Sequence, residues 1–164
     1  MAAVGIRVKF YIDDTLPNKI GIKTLLSAHR RIRHRGVKVF ASPTAKYKDG
    51  TFVQDAIVAN ELGDPPRLPA RPVLRTVMRK NIGKYRNRMR LGIRRLIEDD
   101  IDSKTLVKIL GKELQEDLIH GIRMWSMPMN AFRTILKKGF NDPLVETGKL
   151  MRSIKYAGIP LSEK

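Results

Sequence analysis

Cysteine is absent from the sequence, which excludes disulfides and thiolate metal sites and leaves nothing to indicate an oxidising compartment. Long apolar runs are absent too, and no stretch approaches the ~20 residues that a membrane span requires. The opening MAAVGIRVKFYI is broken by Arg7 and Lys9 and lacks the apolar core of a signal peptide, so a soluble protein made in a cytoplasm is expected. Histidine is limited to His29, His34 and His120, too far apart for a compact ligand motif. Neither a metal, a cofactor nor a catalytic residue is therefore expected. Acidic residues are few: 16 Asp plus Glu stand against 33 Lys plus Arg, a formal charge of +17. That imbalance points to an acidic partner or a polyanion without choosing between them.

What is present suits one α+β domain: 164 residues, 42% of them hydrophobic, can enclose a core. Val4 to Ile12 alternates apolar and basic residues, the period of a half-buried strand. Ile22, Leu25, Leu26 and Ile32 recur at helical spacing between Asn18 and Arg35, with Gly36 as a C-terminal cap. VKVFAS reads as a second strand, and Asp49-Gly50 as a turn able to join two strands in a hairpin. DAIVANELG is a short amphipathic segment, and the four prolines of DPPRLPARP predict a stiff, extended connection.

Pro72 suits the first turn of a long helix, since its missing N–H would be unpaired there. Leu74, Met78, Ile82, Tyr85, Met89, Ile93 and Leu96 fall on one face of that helix. Gly83 and Gly92 weaken it by roughly 1 kcal/mol each relative to alanine and permit a bend. Asp102 or Ser103 is placed to cap a second helix bearing Leu106, Leu110, Leu114, Leu118 and Ile122, with the acidic residues 98–102 favoured at its start by the helix dipole. Residues 71–124 thus form a long basic helical segment. Pro128 interrupts the pattern, NAFRTILKKGF offers one more short helix, and residues 158–164 read as a frayed tail. The expected architecture is a small antiparallel sheet packed against long helices, a single domain over residues 1–157.

Three features invite a binding role. Thr147-Gly148-Lys149 suggests a phosphate loop, but that motif needs Gly, four residues, then Gly-Lys-Ser/Thr, and here the order is reversed, with Leu150 in place of the hydroxyl. Trp125, with Met124, Met127 and Met129 around it, reads as core packing more readily than as an interface anchor. Arg79, Arg86, Arg90 and Arg94 share one arc of the long helix and could track phosphates or face an acidic protein. Lys80, Lys84, Arg88 and Arg95 fill the other flank, as on any solvated helix. Zinc-finger spacing and the aromatic signature of ribonucleoprotein domains are both missing.

ANELGDPPRLPARPVLRTVM and NDPLVETGKLMRSIKY, taken together, resemble the neck or tail-completion proteins of tailed bacteriophages, the virion morphogenesis family. Ala56 to Gly63, Pro69 to Arg75 and Pro143 to Tyr156 match in order and spacing. Val73 departs from the aromatic usual after Arg-Pro, and the segment between the motifs is long and strongly basic. The resemblance implies a non-enzymatic virion protein, made in the host cytoplasm, that forms a ring, a hexamer, between portal or adaptor and tail terminator or tube. Genomic DNA passes through that ring. A tail terminator, a head-closure protein, or a basic nucleic-acid-binding module are the alternatives. It also suggests a subunit or partner interface at Arg67, Pro69, Arg71, Pro72, Arg75, Pro143, Thr147, Gly148 and Lys149, with Arg71 forking onto an acidic group or carbonyls. Thr147 becomes the N-cap of a short helix, with SIKY continuing as a strand.

Overall fold

A computed structural model describes residues 5–9, 34–98 and 100–160. Residues 18–33 of the helix expected over 18–35, and His29 within it, lie outside these residues; its last two residues, His34 and Arg35, and its expected cap Gly36 stand instead at the start of the strand His34–Ala41. The described chain runs β1 (Gly5–Lys9), β2 (His34–Ala41), α1 (Val53–Leu62), α2 (Val73–Ile97), α3 (Ser103–Arg123), α4 (Phe132–Lys138), α5 (Lys149–Ser153) and β3 (Ile154–Pro160). Sheet order is β1-β2-β3. β2 and β3 run antiparallel: the N–H of Ser42 donates to Ser153 at 2.8 Å at one end, while Gly158 lies against His34 at the other. The class is α+β, as expected: the described strands and helices are segregated along the chain, two strands, then five helices, then the last strand.

The chain clusters into two compact units. Of the described residues, the first comprises 5–6, 40–80 and 115–155, and the second 7–9, 34–39, 81–98, 100–114 and 156–160. In the first, Gln54 of α1 donates from Nε2 to the carbonyl of Ala41 at 2.8 Å, and Gln115 of α3 donates to that of Ile154 at 2.6 Å. In the second, Gly111 of α3 admits the ring of Tyr156, and Ser103 Oγ meets His34 Nδ1 at 3.4 Å.

Leu106, Leu110, Leu114, Leu118 and Ile122 are all buried, each worth about 1.5–3 kcal/mol of removed apolar surface. Asp102 is the cap of α3, accepting the N–H of Thr105 at 2.7 Å, and these hydrogen bonds hold its carboxyl below the usual range. Along α2 the expected face holds at Tyr85 and Leu96 but not in the first turns. Val73 and Val77 are buried instead of Leu74 and Met78, and Ile82 is 39% exposed. The reason is on α3, where Gly121 leaves room for the branched Val77 side chain.

Three further expectations are corrected. Asp49-Gly50 does make a turn, with Gly50 at φ +86°, but it brackets only the bridge Lys46–Phe52 before α1 begins, so no hairpin of two strands forms. The proline segment is not extended throughout: Asp64 and Leu68 exchange backbone hydrogen bonds at 2.7 and 2.8 Å and close it into a tight loop. The tail is ordered further than expected, because β3 continues to Pro160 and buries Ile159.

Gly83 and Gly92 differ in what surrounds them. Gly83 is exposed with open space about it, whereas a Cβ on Gly92 would overlap the buried Leu106 side chain. Gly83→Ala should raise stability by about 1 kcal/mol, while Gly92→Ala should lower it by about 1–2 kcal/mol. Urea unfolding of the two variants measures both signs.

Candidate functional site: a basic cavity in the first unit

The first motif builds the frame. α1 ends at Gly63, at φ +77°, where any side chain would collide with the backbone of Ala70. Glu61, in the last turn of α1, reaches the start of α2: its carboxylate accepts the N–H of Leu74 at 3.0 Å and of Arg75 at 3.1 Å. Negative charge opposes the dipole at the end of α1 but suits the open N–H groups of α2, which explains its place. Arg75 Nε also pairs with Glu61 at 3.0 Å.

Arg71 is 4% exposed. Its guanidinium donates to the carbonyls of Pro128 and Met129, both at 3.1 Å, and to Asn60 Oδ1 at 3.3 Å. Desolvation pushes its pKa down from the usual value. The expected fork onto carbonyls is present, but it is spent inside this chain, so Arg71 is a tie rather than an outward contact.

The second motif lines a hollow of about 580 Å³. One wall is the continuous run 143–150; the other is formed by Asn130, Arg133, Thr134, Lys137 and Lys138; Tyr47, Ala56 and Asn60 complete the lining. The loop enters α5 through Gly148 at φ +70°, with no side-chain cap. Thr147 is therefore not the expected N-cap. Its carbonyl instead accepts a hydrogen bond from Arg152 Nη2 at 2.7 Å, and the positive φ at the next position fits glycine. Leu150 packs inward, as expected.

Lys138 braces the loop, donating from Nζ to the carbonyls of Val145 and, at 2.8 Å, Asp142. Desolvation lowers its pKa, the carboxylates of Glu146 and Asp142 oppose that, and Arg71 reinforces it. Burial, with Glu146 and Asp49 nearby, raises the pKa of Tyr47, so its hydroxyl keeps its proton. Arg133, Lys137 and Lys149 have no ion-pair partner among the described residues. The Nδ2 of Asn130 is buried without an acceptor. The cavity thus offers several donors and one carboxylate, Glu146.

An apolar strip runs along the same segment. Phe132 and Leu136, one turn apart on α4, are 75% and 68% exposed, and α4 buries no residue. Met124, Met127 and Met129 are exposed as well, while Trp125 is only half-buried. Core packing of this methionine cluster is overturned.

Scans against protein-family profiles, curated protein sequences and solved structures return no match for the chain.

Of the residues singled out from sequence, the structure gathers Pro143, Thr147, Gly148 and Lys149 at the cavity. Arg67 and Pro69 stand exposed near the closed loop, and Pro72 accepts the first hydrogen bond of α2, from Thr76. Arg79, Arg86, Arg90 and Arg94 are all exposed on α2. Arg94 pairs with Glu98 at 2.9 Å and Arg90 bonds Asn87 at 3.1 Å; on the other flank Lys84 and Arg88 turn to Glu113 and Arg95 to Asp100. Sequence reasoning missed Asn130, Arg133, Lys137 and Lys138. The available signal was that FRTILKK carries Phe132, Ile135 and Leu136 at the spacing of one helix face, with Arg133, Lys137 and Lys138 beside it.

Proposed function

We propose that the chain is a non-enzymatic structural protein of the head-to-tail neck of a tailed phage, acting as several copies in a hexameric ring through which the genome passes. The observation that carries this reading is the assembly of both motifs, far apart in sequence, into one unit: Glu61, Arg71 and Arg75 fix the frame, and residues 143–150 line the hollow within it. Beside that hollow lies an uncovered apolar strip, the kind of surface that marks protein association. On the long helix, Lys84, Arg88 and Arg95 of one flank and Arg94 of the other pair with carboxylates, so part of its basic charge is met within the chain, while Arg79, Arg86 and Arg90 have no carboxylate partner among the described residues.

Electron microscopy of particles assembled with this gene disabled tests the reading. Filled heads beside finished, unattached tails are the expected result. Normally joined virions would overturn it.

A further inference from the structure

The cavity and the exposed face of α4 share one short helix. Phe132 and Leu136 form its uncovered apolar face, and Arg133 and Lys137, one position further on in each case, line the hollow. Lys149 contributes a third cation from the loop. An occupant must therefore offer negative charge to the hollow and apolar side chains to the strip. The geometry points to a docking site for an acidic, apolar segment of a different protein, its carboxylates set against Arg133, Lys137 and Lys149 and its apolar side chains over Phe132 and Leu136.

Charge complementarity selects this occupant. A second copy packed α4 against α4 would bring Arg133 and Lys137 against their like, and the copies carry a formal +17 each. Nucleic acid would satisfy the cations but leave Phe132 and Leu136 without a use, and Glu146 in the lining opposes a continuous polyanion. A peptide answers both parts, its carboxylates meeting the cations and its apolar side chains covering Phe132 and Leu136. The inference rests on the neck reading only for the partner being a virion protein; the binding chemistry stands on the geometry.

The test uses the full chain and fluorescence anisotropy at physiological salt, with three labelled probes: a short peptide of Glu, Asp, Leu and Phe, the same peptide with Lys for each acid, and a single-stranded DNA of matching charge. The acidic peptide should bind more tightly than DNA, and the Lys version not at all. Lys137→Glu with Lys149→Glu should weaken the peptide at least about tenfold, and Phe132→Ser with Leu136→Ser about as much. Arg79→Glu with Arg86→Glu should leave binding unchanged. All these positions are exposed or half-buried, and circular dichroism melts check that each variant folds. Four results would each overturn the site: no peptide binding, DNA bound as tightly as the peptide, equal loss from either charge pair, or serine variants that alter only self-association in sedimentation. The neck reading would survive any of them, since it stands or falls on the joined virions.

Discussion

Replacing Glu61 by alanine is expected to lower unfolding free energy by about 3 kcal/mol, among the largest effects of any polar substitution in this chain. The carboxylate is buried and serves two backbone N–H groups at the start of α2, those of Leu74 and Arg75, which have no intrahelical acceptor. Its removal leaves both donors unsatisfied. The ion pair with Arg75 is the smaller part, because that guanidinium is more than half exposed and its attraction is screened. Arg75→Ala should accordingly cost less than about 1 kcal/mol, even though Arg75 also donates to the carbonyl of Glu61 at 2.7 Å. Glu61→Gln keeps one acceptor oxygen and should fall between the two. Urea unfolding with unchanged slope provides the measurement. Equal losses from Glu61→Ala and Arg75→Ala would mean that the ion pair, not the cap, holds the junction.

Local chemistry was legible where a residue's neighbours in sequence are also its neighbours in space. The leucine repeat of α3 declares its buried face because the helix period alone sets which side chains align. Asp102 lies three residues before the N–H it caps. The first turns of α2 were misread because two apolar stripes, Leu74/Met78 and Val73/Val77, compete there. The choice between them is made by Gly121, more than forty positions away.

The candidate site was legible by half for the same reason. The run 143–150 carries a motif and could be marked in advance, whereas its facing wall at 130–138 has none. Lys138 joins the two over a short stretch, reaching the carbonyls of residues 142 and 145, but the tie that holds the segment before α4 is long-range, Arg71 reaching the carbonyls of 128 and 129. The resemblance supplied a fork of Arg71 onto an acidic group or carbonyls, but nothing local tells that the carbonyls are those of Pro128 and Met129 in the same chain or that the side chain is buried. The exposed methionines were misread in the opposite sense, since apolar residues are assigned to a core by default while a docking face is built from the same types.

Arg71 supplies the second large effect. Arg71→Met should cost about 2–3 kcal/mol: three charge-assisted hydrogen bonds are lost, and relief of a buried charge with no carboxylate bound to it returns part of that. Arg71→Lys keeps the charge but not the fork, since one ammonium cannot reproduce the planar reach to Pro128, Met129 and Asn60, so it should cost nearly as much. The consequence reaches the cavity. Freed carbonyls at 128 and 129 loosen the segment that leads into α4, and with it the wall carrying Arg133 and Lys137. Hydrogen exchange should therefore accelerate over residues 127–138 while the amides of Leu106 to Leu114 keep their protection. Binding of the acidic peptide should weaken together with that exchange, although Arg71 itself is too buried to meet a ligand. Uniform acceleration along the whole chain would mean that Arg71 contributes only to global stability and does not hold the cavity wall.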